Sequence, residues 1–201
     1  MTNQKINNTQ AAIKKALIAA IQQKGLSHFS VTDITKLAHI NRSTFYLHYI
    51  DKFDLIDSYK NKIISDIKEL IKSNISESMT YQNIDSNNFK TYPAIELVIN
   101  YVYSEFDLFA AILGPNGDPY LEIKLKKLIA QIILDDLKRV KGNDSLTKYI
   151  PHKYALEIMV SEFFAIIELW LNQEKPEQPA EIIDIIMKSR YLSPYDILGL
   201  E

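Results

Sequence analysis

Five hydrogen-bonding side chains fall within seven consecutive residues: Arg42, Ser43, Thr44, Tyr46 and His48. Over Arg42 to Tyr49 only Phe45 and Tyr49, four apart, have the spacing of a core-facing pair on a helix. A helix this short gains little from propensity, so its polar side chains are available for recognition. The guanidinium is a planar fork of donors, and the hydroxyls, phenol and imidazole both give and accept hydrogen bonds. That set suits base edges and phosphates. Chemistry of other kinds finds no support. The chain has no cysteine, no Gly-rich phosphate loop, no HExxH pattern and no Ser/His/Asp cluster. His28, His39 and His48 are separated by 11 and 9 residues, which fits no metal site. Neither a metal, a cofactor nor an enzyme is expected.

The elements that must position these residues are helices. Pro93, Pro119, Pro151 and Pro179 each stand where a helical pattern begins, a place that suits a fixed φ and a missing N–H. Helix ends are marked at Lys24-Gly25, Gly114-Pro-Asn-Gly117 and Lys141-Gly-Asn143. No stretch alternates with period 2, so the chain reads as all-α, about nine helices and no sheet. A first helix over about 9–24 places Ile13, Ala16, Leu17, Ala20 and Ile21 on one face. Ser30 caps a second helix, with Asp33 three residues on, and Ile34, Leu37 and Ala38 are its core side. Asn41 caps a third over Arg42 to Tyr49, and Asp51 caps a fourth running to about Ser78. Residues 76–91 are polar and unpatterned and read as a loop. Further helices are expected at about 93–104, 107–114, 119–141, 151–172 and 179–192.

Over 201 residues the net charge is only −2. It is unevenly spread: residues 1–60 carry eight Lys/Arg against four Asp, net +4, and the remainder is net −6. An N-terminal part facing a polyanion would have this asymmetry. The longest apolar stretch, Ala155 to Leu171, is interrupted by Glu157, Glu162 and Glu168. It therefore reads as a buried helix and not a membrane span. With no apolar h-region at the start and no cysteine, a cytoplasmic protein is expected.

The segment Ser30 to Leu55 resembles the DNA-binding domain of TetR-type regulators. The resemblance is carried by Ser30-x-x-x-Ile34-Thr35, Ala38-His39-Ile40-Asn41, Arg42-Ser43-Thr44-Phe45-Tyr46-Leu47-His48-Tyr49 and Lys52-x-x-Leu55. It implies a three-helix helix-turn-helix domain over 1–52, with the motif at about 32–51, and an effector-binding and dimerisation bundle over 53–201. It further implies a homodimer on double-stranded, palindromic operator DNA, acting as a repressor. Thr32, Asn41, Arg42, Ser43, Thr44, Tyr46, His48 and Lys52 are the residues it assigns to DNA. The chain departs from the family pattern where His39 replaces the turn glycine and so must adopt φ > 0. Ser43 replaces a glycine, and Thr35 a small apolar residue.

For the C-terminal half the residues point to two further surfaces. Tyr101, Phe106, Met159 and Phe163 are candidates to line a pocket for an apolar small-molecule effector. The helices over 155–171 and 182–187 are apolar on nearly every face, more than one chain can cover. Phe163, Ile167, Trp170, Ile183, Ile186 and Met187 are the expected contacts between two copies. The stretch Phe163 to Leu171 also resembles the C-terminal helices of the subgroup that includes dihydroxyacetone-kinase operon activators. An alternative function follows from that resemblance, a helical dimeric scaffold governed by a protein partner.

Overall fold

The computed structural model describes residues 3–78 and 91–200; most of the loop expected over 76–91 lies outside the described residues. Ten α-helices and no strand are found among them: α1 (Asn3–Lys24), α2 (Val31–Leu37), α3 (Arg42–Tyr46), α4 (Lys52–Ser78), α5 (Pro93–Ser104), α6 (Phe106–Leu113), α7 (Pro119–Lys141), α8 (His152–Leu171), α9 (Pro179–Ser189) and α10 (Pro194–Ile197). α10 is a short helix beyond the expected nine. α1 begins six residues earlier than expected, since nothing from Asn3 to Asn8 breaks a helix. Pro93, Pro119 and Pro179 are first helical residues, whereas Pro151 stands one position earlier, at the N-cap of α8. Among the described residues no helix is long and apolar enough to cross a membrane.

The chain forms two compact units, one of residues 1–66 with 105–124, the other of 67–104 with 125–201. The first unit therefore holds α6 and the start of α7 as well as the N-terminal helices, a grouping wider than the helix-turn-helix segment. Its core contains Ile13, Leu17, Ile21, Ile34, Phe45 and Leu55, all fully buried. The predicted apolar face of α1 is buried at every position. On α2, Ile34 and Ala38 are buried, but Leu37 is 38% exposed and lies outside the core assigned to it.

Polar ties within the first unit bind residues distant in sequence. Lys14 pairs with Glu105, and Leu26 N–H donates to Asn116 O at 2.9 Å. Lys60 meets Asp118 at 2.5 Å with both side chains largely buried. Burial alone would lower the Lys60 pKa and raise that of Asp118. The hydrogen bonds and charges around them, those of the pair first and those of Asp57, Lys124 and the Tyr120 N–H after, together outweigh it, so Lys60 lies above its ordinary value and Asp118 below. Asp118 also accepts the Tyr120 N–H at 2.9 Å, capping the start of α7. Gly117 permits this turn: a Cβ there would lie 1.9 Å from Ile112 O.

In the second unit Trp170 is buried, stacked on Tyr103 with centroids 6.1 Å apart, and its indole N–H donates to Glu177 O at 3.0 Å. That bond satisfies the polar edge of a buried indole and ties the α8–α9 connection to the end of α8.

Candidate nucleic-acid interface

α2 starts with a reciprocal capping box. Asp33 N–H donates to Ser30 Oγ at 3.3 Å, and Ser30 N–H donates to the Asp33 carboxylate at 2.8 Å. The salt link to Lys24, at 2.7 Å, is the main cause of an Asp33 pKa well below the usual carboxylate range. Thr35 is buried, and its hydroxyl donates to Thr32 O at 3.1 Å, so the polar substitution is satisfied in place. The chain then turns through His39, which has φ 52° as its position requires, with Ile40 N–H bonded to Thr35 O at 3.0 Å.

α3 is shorter than expected. It ends at Tyr46, and Leu47 and His48 form a turn whose N–H groups bond back to Ser43 and Phe45 carbonyls. Asn41 occupies the N-cap position, but its side chain makes no capping bond. Phe45 is the one fully buried side chain of α3. Tyr49, assigned to the core, is half-buried, its ring 5.7 Å from Phe45, and hydrogen-bonds to Tyr59. Burial, with Tyr49 as the lesser cause, pushes the Tyr59 phenol well above its usual pKa.

The remaining predicted residues lie on α3 and its two flanks, except Thr32, which is on α2. Asn41, Arg42, Ser43 and Tyr46 are exposed, and Thr32, Thr44 and His48 are half-buried. Arg42 donates to Tyr46 Oη at 3.3 Å and lies 5.9 Å over that ring, which holds the guanidinium along α3. Lys52 behaves differently. Its ammonium donates to Ser27 O at 3.0 Å and Phe29 O at 2.9 Å, close to the Phe29 and Phe53 rings. Two of its three donors therefore fasten α4 to the α1–α2 connection, and one is left for an outside acceptor. Asp51 caps α4 as expected, accepting the N–H groups of Phe53 and Asp54 at 2.8 Å each.

Leu47, Ile50 and Phe53 were not singled out from sequence, and they are 69%, 81% and 63% exposed beside these polar groups. The signal that could have found them is their place outside the Phe45–Tyr49 spacing. Among the described residues no group of His, Cys, Asp and Glu gathers to hold a metal ion.

In the second unit a cavity of about 110 Å³ is lined by residues of α4, α5, α7 and α8, with Tyr92 before α5 and Arg190 at the end of α9. Of the residues named for an effector pocket, Met159 and Phe163 line this cavity and Tyr101 and Phe106 do not; Phe106 belongs to the first unit. Branched aliphatic side chains such as Ile71, Ile95, Val98 and Ile129 take the place given to the aromatics. Four expected intersubunit contacts need correction as well. Ile167, Trp170, Ile186 and Met187 are each no more than 4% exposed, so the chain's own core covers them. Phe163 and Ile183 are half-buried. The exposed stripe of α8 is its other side, Tyr154, Ile158, Ala165 and Leu169, with Ile185 exposed on α9.

A short polar-faced helix set behind a tight turn, on an all-helical chain with a second helical unit, defines the class of helix-turn-helix transcriptional regulators. Residues 90–190 match the TetR family model described as "Transcriptional regulator C-terminal region". The chain belongs to the TetR-type family of transcriptional regulators, which are not enzymes. It is 22% identical over 175 residues, 87% of its length, to the uncharacterized HTH-type transcriptional regulator YxbF of Bacillus subtilis (strain 168). It spans 43% of the length of that relative. Among solved structures it is similar to a TetR transcriptional regulator from Streptococcus agalactiae 2603V, at TM-score 0.58 and 20% identity, covering 93% of this chain and 96% of that one. It is also similar to the fatty acid degradation regulator FadR from Bacillus halodurans, at TM-score 0.59 and 13% identity, covering 90% and 93%. These structures share the fold.

Proposed function

We infer that the protein is a cytoplasmic repressor that binds a palindromic operator as a homodimer and is released by a small-molecule effector. The observation that carries this reading is α3, where burial of Phe45 alone leaves Arg42, Ser43 and Tyr46 at the surface. Residues 1–52 form the DNA-reading part. Arg42, Ser43, Thr44 and Tyr46 meet bases and phosphates, and Thr32, Asn41 and His48 meet the backbone. Lys52 reaches a phosphate with its third N–H while its other two hold the α1–α2 connection. Residues 53–201 bind the effector and dimerise. The apolar stripe Tyr154, Ile158, Ala165 and Leu169, left exposed on α8, supports pairing with a second copy. The symmetry of such a pair matches a palindrome. The apolar cavity of the second unit supports the effector reading over a scaffold governed by a protein partner.

Selection from random duplexes followed by fluorescence anisotropy tests the reading. A palindromic consensus is expected, with a log affinity–log salt slope of roughly −0.9 per phosphate contacted. Selection that enriches no sequence, with binding no tighter than to random DNA, overturns it.

A further inference from the structure

We propose that the cavity of the second unit takes a short aliphatic carboxylate, its hydrocarbon body among the branched side chains and its carboxylate on Arg190. This rests on the effector reading above and names the chemistry of the same site.

Two observations set the class of ligand. Apart from the Tyr92 phenol and Arg190, every side chain lining the cavity is apolar, so the body of the ligand is hydrocarbon. Among the described residues the single charge lining the site is a cation, and it is already positioned. The Arg190 guanidinium lies 5.3 Å over the Tyr92 ring, a stack that restrains its rotamers. Among the described residues no carboxylate lies within ion-pair distance of it. Glu162 shares with Arg190 the lining of an adjoining cavity of about 150 Å³, yet forms no ion pair with it. A cationic ligand would be repelled. A neutral one gains nothing from the guanidinium, whereas a carboxylate matches its fork of donors in a bidentate pair.

The tyrosines add to this. Tyr92 and Tyr191 hydroxyls are 3.2 Å apart. Burial, then the bond to Tyr191, pushes the Tyr92 phenol up to about 12. It stays neutral at physiological pH and sets no negative charge against the ligand. Size limits the body. The cavity is about 110 Å³, and an apolar cavity of roughly 150 Å³ holds benzene. A chain of about four to six carbons therefore fits, with its carboxylate outside the apolar space. Longer chains must enter the adjoining cavity, which shares Met159, Phe163 and Arg190 with the first.

Calorimetry on the full chain at pH 7, with hexanoate, hexanol and hexylamine as probes, tests the proposal. Hexanoate should bind about tenfold more tightly than hexanol, the margin of one charge-assisted contact, and hexylamine more weakly than either. Arg190→Gln should bring hexanoate down to the level of hexanol and leave hexanol unchanged. Arg190 is exposed at the end of α9, so the variant should stay folded, losing no more than the contact with Tyr92. Val98→Phe, which fills the cavity, should remove binding of both. Hexanol binding as tightly as hexanoate, or hexanoate indifferent to Arg190→Gln, overturns the carboxylate assignment and leaves an effector cavity standing. Binding of none of the three probes overturns the carboxylate assignment. If other small neutral and anionic metabolites then also fail to bind, the effector reading falls with it.

Discussion

α3 and α8 both leave much of themselves in solvent, but they do so with opposite side chains. α3 buries one phenyl ring and exposes a guanidinium, a hydroxyl and a phenol. α8 buries Val160, Phe164, Ile167 and Trp170 on one side and exposes Tyr154, Ile158 and Leu169 on the other. The polar surface is stable in water and can wait for a ligand. The apolar one is a patch of the kind that marks an interaction surface. Exposure alone therefore says little about function. On the reading proposed above, the chemistry of the exposed atoms separates a surface for a transient, salt-sensitive partner from one for a permanent neighbour.

That contrast can be broken at either surface. The largest effect is expected from Ile158→Asp/Leu169→Asp, which places two carboxylates on the apolar stripe of α8. Light scattering should report a monomer, and operator affinity should fall to that for random DNA although α3 is untouched. A double variant that stays dimeric and binds normally would show that α8 meets its neighbour elsewhere.

Asp118→Ala comes next, since it leaves Lys60 in a largely buried site with only the more distant Asp57, at 3.4 Å. Denaturant unfolding should show a loss of about 2 kcal/mol. The pH dependence has a definite sign. Asp118 titrates below its ordinary 3.8, so its contribution is complete above that value and is lost as pH falls below it. Lys60 titrates above 10.5, so its contribution is complete below that value and is lost as pH rises past it. The difference between parent and variant should be flat at neutral pH and shrink on acidification below the ordinary Asp value.

Arg42→Ala should cost about 1–3 kcal/mol on the preferred operator and relax base choice there. Equal losses on specific and random duplexes would reduce Arg42 to a phosphate contact. The smallest effect is expected at His39. Glycine in its place relieves the left-handed backbone but loosens the unfolded chain, and the two partly cancel. A gain of less than about 1 kcal/mol in thermal melts is the expected result.

The features read correctly from sequence obey local rules. The Ser30–Asp33 box, the Asp51 cap, the left-handed His39 and the prolines at helix starts each involve neighbours within four residues. What was missed depends on distance or on degeneracy. Lys14–Glu105 and Lys60–Asp118 bring α6 and the start of α7 into the first unit, and no local pattern announces a pairing across 91 residues. α8 is degenerate in another way. With apolar residues on nearly every face, its period cannot say which side is core, and Ile167 and Trp170 were placed on the wrong one. The cavity was sought among aromatics, whereas Ile71, Ile95 and Ile129 line it from three helices that only folding brings together. At the reading surface the polar residue types were legible, but the early end of α3 was not, because one turn is too short for periodicity to mark.

Those five residues of α3 bear on the clock of the molecule as well as its shape. A single turn cannot hold itself, since the first helical hydrogen bond must fix several residues at once. The N–H groups of Phe45, Leu47, His48 and Tyr49 are bonded to carbonyls of residues 41–45, and one phenyl ring anchors that stretch to the core. Their amide protons should exchange with solvent as a group, at the rate at which the Phe45 ring leaves its seat. Bound DNA would slow all four together.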